Sequence, residues 1–515
     1  MIDGTLLLKL YARRRGGLLE NQNAAAEQQR QLLKLVGHAA HTRFGREHGF
    51  SQVRSVADFQ ARVRLRRYED MWRDYWQPHY PKLVDCTWPG AMPYFALSSG
   101  TTSGATKYIP VSHEMNRANT RAALDVLVHH VKNQPGTSVL GGKSFILGGS
   151  TDLIKIAPGV CQGDLSGIAA ARVPLWARPY VYPPRDVALI ADWEKKIEAL
   201  SRGILNQDIR SISGTPSWLL IFFERLFARH PNREPKLAAF FPNLELVIHG
   251  GVNFMPYRSQ FEALLAGSHA ETREVYPASE GFIASADRGP GEGLRLMADN
   301  GLFFEFVPRD ELDAANPTRH WAATIETGID YAIAVSSCAG LWGYVIGDTV
   351  KFVDLTPPRL LVTGRTSYYL SSFGEHLTGD EIEDAVGTAS SAIGASVADF
   401  AVGALFPDRE RRLGGHLFIV EFSGPLPNAA DAARFLDTID EVLSRRNDDY
   451  RAHRSGGFGL DKPRLLSVKR GAFEAWMKSR GQLGGQHKVP RVVANESLFA
   501  SLREFCGTRA ESPSA

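Results

Sequence analysis

Between residues 144 and 281 one pattern recurs: a short β-like run, a loop of glycine and small polar residues, then a helical stretch. Ser144–Gly149 (SFILGG) reads as a buried strand and a turn. A helix over Val187–Leu205 precedes a strand at Ile209–Ile212, which runs into Ser213-Gly214-Thr215-Pro216 and a helix over Ser217–Ala228. Leu244–Ile248 is a strand ending in His249-Gly250-Gly251, and a helix follows over Tyr257–Leu265. Thr272–Val275 is a strand ending in Tyr276-Pro277-Ala278-Ser279-Glu280-Gly281. This alternation specifies an α/β layer architecture. In such sheets ligands sit beyond the carboxyl ends of the strands, so the small-residue loops are candidates for one shared site.

The chain has 515 residues, more than one hydrophobic core usually serves, which implies a large domain and a smaller one. Residues 20–76 read as helical, with Ala24–Leu35 and Val56–Tyr75 as the periodic stretches, and Glu114–Val131 as a further helix. Over residues 301–355 the pattern becomes β-like at Leu302–Val307, Trp321–Ile325, Tyr331–Val335 and Thr349–Val353, suggesting an antiparallel sheet or barrel. The polar segment Ser367–Thr378 marks a boundary, giving domains 1–370 and 371–515. The second holds helices from Gly379 and over Ala429–Arg446, with strands at Phe400–Phe406, His416–Phe422 and Arg464–Val468: a small α+β domain of about 130 residues.

Bulk properties exclude several classes. A net charge of +3 gives no reason to expect nucleic acid or a membrane as partner, and Arg13–Arg15 and Arg64–Arg67 read as solvated faces. The four cysteines, Cys86, Cys161, Cys338 and Cys506, are far apart and form no CxxC or Cys/His ligand spacing. That argues against a disulfide framework or a zinc site and suits a reducing, cytoplasmic location. Leu6-Leu7-Leu8 is too short to span a membrane, and its basic residues follow it, the reverse of a secretory signal.

The stretch Ala96–Val111 (ALSSGTTSGATKYIPV) joins two β-like runs through seven small residues: Ser98, Ser99, Gly100, Thr101, Thr102, Ser103 and Gly104. Glycines admit an anion close to the backbone, N–H groups and hydroxyls donate to it, and Lys107 adds charge: the chemistry of a phosphate cradle. A surface turn would use the same residues. Neither the GxxxxGK[ST] spacing nor GxGxxG occurs, so nucleotide-triphosphatase, kinase and dinucleotide-fold readings have no support.

SSGTTSG–x2–K resembles the phosphate loop of adenylate-forming enzymes. YPASEG (Tyr276–Gly281), YVIGD (Tyr344–Asp348) and Gly364-Arg365 follow in the order in which those enzymes carry an aromatic–Ser/Thr–Glu loop, a glycine–aspartate turn and a hinge arginine. More narrowly, the chain is similar to the acyl acid–amido synthetases, the plant and bacterial enzymes related to auxin- and jasmonate-conjugating proteins. LWGYVIGDTV, Tyr450–Ser455 (YRAHRS), Gly485–Arg491 (GQHKVPR) and Thr42–Phe50 (TRFGREHGF) carry that likeness. It runs from about residue 35 to 500. Trp342–Ile346 and the hinge Ser371–His376 depart from the plant versions, as in a bacterial-type member.

The resemblance implies the adenylate-forming fold: a large N-terminal domain with α/β layers and a β-barrel, a hinge, and a mobile C-terminal domain. It implies that a carboxylic acid is adenylated with ATP and Mg²⁺, and that the acyl group passes to an amine such as an amino acid, releasing AMP and pyrophosphate. Bringing two anions together is a task of positioning and charge stabilisation. Ser98–Gly104 and Lys107 would hold the β- and γ-phosphates, and Glu280 would hold Mg²⁺, which takes one or two carboxylates plus phosphate oxygens. Tyr276, with Ser279 in its loop, would stack on adenine, and Asp348 would accept from the ribose hydroxyls. Arg365 would reach the ribose or α-phosphate, and Lys488 would arrive on domain closure to serve the transition state. Histidines near the crevice, His249 and His376, are candidates for the proton acceptor in amide formation. The helix carrying Met115, Ala118, Ala122, Leu124 and Val126 and the Gly214–Trp218 loop are candidates for the acyl pocket. The rival readings are transfer to a thiol such as coenzyme A or to a hydroxyl, and a non-catalytic binding protein on the same fold.

Overall fold

In the computed structural model the recurrent strand–loop–helix pattern lies in one mixed sheet. The structure describes residues 3–98, 106–148, 153–188, 190, 193–251, 254, 257–365, 369–407, 412–455, 459–480, 491–493 and 495–507. The chain divides into two compact units, the first comprising Met1–Ser98 and Lys107–Thr366, the second taking in Ser367–Ala515.

In the first unit β1 (Tyr94–Ser98) and β2 (Lys107–Val111) form an antiparallel hairpin. β3 (Lys143–Leu147) belongs to the main sheet, while β4 (Ile154–Ala157) and β5 (Val160–Gly163) join the hairpin in a four-stranded sheet of order β2-β1-β5-β4. The main sheet goes on with β6 (Val181–Tyr182), β7 (Ile209–Gly214), β8 (Leu246–Gly250), β9 (Glu271–Ala278), β10 (Gly281–Ser285) and β11 (Leu294–Leu296). It is completed by β12 (Leu302–Pro308), β13 (Asp330–Ser337), β14 (Tyr344–Leu355) and β15 (Pro358–Arg365). Its order is β12-β13-β14-β15-β11-β10-β9-β8-β7-β3-β6, with β3, β6, β7, β8 and β9 mutually parallel. The antiparallel strands of 301–355 are thus continuous with the parallel half through β15–β11–β10–β9. Among the described residues they form an antiparallel sheet, one of the two forms expected there.

β12 is buried along its whole length, and this explains its continuous apolar run. Its one acid, Glu305, is fully buried between the guanidinium N–H groups of Arg319 at 2.8 and 2.9 Å and the Gln60 amide at 2.9 Å. The helix Ala24–Ala39 starts at Asn23, whose side chain accepts the Ala26 N–H at 3.0 Å. Buried Gln28 on that helix donates to the carbonyls of Ala298 and Leu302 and accepts the Phe304 N–H. One side chain thereby satisfies three backbone groups and docks the helix beside β12.

Three expectations need revision. The helix over Val56–Tyr75 stops at Arg62 and resumes at Tyr68, because Arg66 pairs with the start of β14 instead: its N–H reaches Gly343 O at 2.8 Å, and Val345 N–H reaches Arg66 O at 2.9 Å. Trp321–Ile325 is a turn rather than a strand, closed by Thr324, whose hydroxyl takes the Trp321 N–H. Over Val187–Leu205, a helical turn at Arg185–Ala188 precedes a separate helix, Trp193–Gly203.

The second unit opens with the short pair β16 (Tyr369–Leu370) and β17 (Leu377–Thr378). Its core sheet comprises β18 (Val397–Leu405), β19 (Gly415–Phe422) and β20 (Arg464–Val468), in that order, antiparallel and then parallel. Glu375, on the loop between β16 and β17, is wholly buried, accepts the N–H groups of Ser372 and Phe373, and lies 2.8 Å from His416 Nε2. Burial opposes its ionisation, yet His416 and the backbone donors hold its pKa below the ordinary carboxylate value.

Candidate active site

The β1–β2 register pairs Tyr94 with Val111 and Ser98 with Lys107, so the hairpin brings the two ends of the small-residue loop together. Ser98 is its last described residue. Ser99, Gly100, Thr101, Thr102, Ser103 and Gly104 lie outside the described residues. Lys107 is buried, and its ammonium stands 5.5 Å from the centre of the Tyr68 ring. Tyr68 in turn accepts the Tyr108 N–H on its hydroxyl at 3.0 Å.

At the end of β9 the chain reverses directly into β10. Ala278 pairs with Gly281, leaving Ser279 and Glu280 as the two-residue hairpin turn. Gly281 has φ 146°, and a Cβ there would stand 2.9 Å from Leu302 Cδ1; only glycine fits the turn against β12. Glu280 is buried at this turn.

Asp348 lies within β14 at a bulge rather than in the free turn expected from its sequence. Ala334 pairs with Val345 and Ala332 with Thr349, so Ile346, Gly347 and Asp348 face Ile333 alone. Gly347 has φ 101°, the conformation that makes the bulge possible. The bulge aims Asp348 at β9, where the Tyr276 hydroxyl donates to Asp348 Oδ2 at 2.5 Å, both side chains being buried. In the β14–β15 register Asp348 also stands opposite Arg365; of the arginine only the backbone is described.

Two further aromatics connect these groups. Tyr344, at the start of β14, is fully buried. Burial first, and the Glu280 charge next, push its phenol well above the ordinary tyrosine value, with Tyr68 adding to the shift. The Arg66–Tyr344 bridge holds the two segments together. Lys107 and Glu280, far apart in sequence, thus converge on Tyr68 and Tyr344. From sequence Tyr344 has no assigned role, Tyr68 reads as a position of the helix over Val56–Tyr75, and Arg66 reads as part of a solvated face, whereas the structure buries it.

Other expected residues fare differently. Lys488 lies outside the described residues. His249, next to last in β8, has its ring stacked on Phe254, centroids 3.6 Å apart, and burial pushes it down to about 3, which makes it a poor proton acceptor at neutral pH. His376, in the second unit, sits 3.2 Å from Asp449 with φ 47°. Met115, Ala118, Ala122 and Val126 are buried on the helix His113–Asn133, with Met115 and Ala118 in the main core. Their described contacts are those of core packing. In the YRAHRS stretch, Tyr450 and Arg454 both donate to Asp440, at 2.6 to 2.8 Å, an internal brace of the second unit. Among the described residues no group of three or more His, Cys, Asp or Glu is placed to hold a metal ion, and Glu280 is the single carboxylate at its turn.

Three sequence profiles match the chain: the GH3 family N-terminal domain over residues 19–148, the central domain over 295–365 and the C-terminal domain over 380–497. The chain belongs to the GH3 family. Its relatives include indole-3-acetic acid-amido synthetase GH3.3 of Arabidopsis thaliana, 26% identical over 231 residues, covering 43% of this chain and 37% of that one. Indole-3-acetic acid-amido synthetase GH3.8 of Oryza sativa subsp. indica is 27% identical over 270 residues, 46% of this chain and 44% of its own length. The alignments with these two therefore span less than half of either relative. Among solved structures, the GH3.15 acyl acid amido synthetase has a TM-score of 0.57 at 19% identity, covering 96% of both chains. A 2-hydroxyisobutyryl-CoA ligase also gives 0.57, at 16% identity, covering 96% of this chain and 94% of that one. Both likenesses establish the adenylate-forming fold for this GH3 chain. The three matched segments include the Ser98–Lys107 hairpin, Asp348 and Arg365, and Lys488.

Proposed function

We propose that this GH3 protein is an ATP-dependent acyl acid–amido synthetase: it adenylates a carboxylic acid and passes the acyl group to an amine, an amino acid being the preferred class. The observation that carries the reading is the buried Tyr276–Asp348 hydrogen bond, with Glu280 at the turn that ends the tyrosine's strand, in an adenylate-forming fold. Its relatives' names, indole-3-acetic acid-amido synthetases, support the amide outcome.

In this reading Tyr276 and Asp348 form the nucleoside end of the site. The phenol, fixed by its donated hydrogen bond, presents a ring face for adenine, and the carboxylate keeps acceptor capacity for ribose hydroxyls. Ser98–Gly104 and Lys107 take the β- and γ-phosphates, and Arg365 supports the ribose or α-phosphate. Glu280 suits Mg²⁺ that arrives on the phosphates, since such an ion needs only one or two protein carboxylates. When bound, the ion would neutralise charge on the leaving pyrophosphate. Carboxylate attack on the α-phosphate forms the acyl–phosphate bond and breaks the bond to pyrophosphate. Lys488, delivered by closure of the second unit, would oppose the charge that builds at that phosphate. The amine then attacks the acyl carbon, AMP leaves, and the amine's proton goes to solvent rather than to His249. We place the reaction in the cytoplasm, which suits four free cysteines.

An ATP–pyrophosphate exchange assay over a library of carboxylic acids tests the first half-reaction. Acid-dependent exchange is expected. ATP binding without exchange for any acid would leave only a binding protein on this fold.

A further inference from the structure

The N-terminal helix Thr5–Glu20 buries one face and leaves the other apolar. Leu8, Ala12, Arg15 and Leu19 point inward, and Arg15 is fastened by ion pairs to Asp125 and Asp299, both at 2.6 Å. Opposite them Leu6 is 70% exposed, Leu7 72%, Leu10 59%, Leu18 60% and Tyr11 37%. At 100° per residue these five fall on one arc centred away from the core. Arg14 is exposed on the same arc, Arg13 is exposed at its border, and Lys9 is half-buried beyond that. Of the acids at the two ends of the helix, Asp3 accepts the Thr5 N–H and Glu20 pairs with Lys132 at 2.6 Å.

A second apolar feature adjoins the start of this helix. A Cβ on Gly4 would meet the Tyr180 ring at 3.0 to 3.4 Å, so the turn leading to Tyr180 abuts the helix. That turn, closed by Ala177 N–H to Pro174 O at 2.9 Å, displays Leu175 and Trp176, 76% and 56% exposed, between exposed Arg172 and Arg178. Leucine, tryptophan and arginine on adjoining segments make an apolar surface flanked by positive charge.

We infer that this face docks on an anionic phospholipid surface. The helix would lie in the plane of the interface with its leucines among the acyl chains and its cations at the headgroups. A second copy of the chain is the poorer occupant: a two-fold pairing of this face would set the central Arg14 against its own copy. Lipid phosphate complements Arg13 and Arg14, and hydrocarbon complements the leucines beside them. The whole-chain charge of +3 averages over this patch and conceals it.

The test is co-sedimentation of the full chain with vesicles of phosphatidylcholine alone or mixed with phosphatidylserine, at low and high salt. Binding is expected to the mixed vesicles, weaker in high salt. Replacing Arg13 and Arg14 by alanine should weaken it roughly 25-fold, about fivefold for each cation near such a surface. Leu10→Glu should abolish it while leaving the thermal unfolding curve and ATP–pyrophosphate exchange unchanged, since Leu10 touches neither core nor site. Failure to bind mixed vesicles at low salt would overturn the inference. So would a concentration-dependent dimer, seen by sedimentation velocity, that Leu10→Glu dissolves.

Discussion

If the Tyr276–Asp348 contact organises the nucleoside end of the site, a double-mutant cycle on this pair should reveal a large coupling. Tyr276→Phe keeps the buried ring and removes only the hydroxyl, so it opens no cavity. It withdraws a 2.5 Å donor from a buried carboxylate, and a hydrogen bond to a charged group is worth about 1.5–3 kcal/mol. Asp348→Ala removes the acceptor, and the double variant removes both. The cycle should return a coupling in the same range, about 1.5–3 kcal/mol, from urea unfolding followed by tryptophan fluorescence. That probe reports mainly the first unit, because of the nine tryptophans only Trp476 lies in the second. Under the proposed function Tyr276→Phe should also raise the KM for ATP, about tenfold for every 1.4 kcal/mol of misplaced binding. A coupling below about 0.5 kcal/mol, within ordinary additivity, would refute the idea that this bond orders the site.

Glu280→Gln should lower the adenylation rate by about 10²–10³ and raise the Mg²⁺ concentration needed for half-maximal exchange, with little change in the unfolding curve. Lys488→Ala should cost a similar factor in turnover number while ATP affinity, measured by calorimetry, stays put. Glu274, which burial pushes up to about 7, keeps its proton in the folded chain well above the ordinary 4.5. Stability then falls as pH rises from 4.5 to 7, by at most about 1.4 kcal/mol per unit, and Glu274→Gln should stabilise the protein at pH 8 but not at pH 4. His249 runs the opposite way, since its native pKa of about 3 lies below the ordinary 6.5. Its contribution is lost as pH falls from 6.5 towards 3, so His249→Leu should flatten the acid limb of a urea-unfolding series.

The α/β half was legible because parallel strands buried on both faces must be short, apolar and closed by small-residue loops, as at Ile209–Gly214 and Leu246–Gly250. Motif order picked out Tyr276, Glu280 and Asp348 as candidates, and the structure places Tyr276 in β9, Glu280 at the turn that follows it and Asp348 within β14. Their mutual geometry was not legible, because it depends on a bulge at Gly347 and a hairpin at Ser279-Glu280, each set by register with strands remote in sequence. Trp321–Ile325 misled because an apolar, β-branched run is also what a turn closed by threonine looks like. Arg66 was read as part of a solvated face for a related reason: it is buried where its backbone pairs with Tyr344, and backbone pairing leaves no mark on residue type. The leucines of Thr5–Glu20 were read for length and for the order of their flanking charges, while the meaning of their exposed face comes from which side the core takes.

The most direct test of the central claim is a product analysis by mass spectrometry: ATP, Mg²⁺ and an acid that supports exchange, incubated with a mixture of amino acids and coenzyme A in competition. The account predicts AMP, pyrophosphate and an N-acyl amino acid, with no thioester. AMP formed together with an acyl-coenzyme A, with the amino acids untouched, would contradict it.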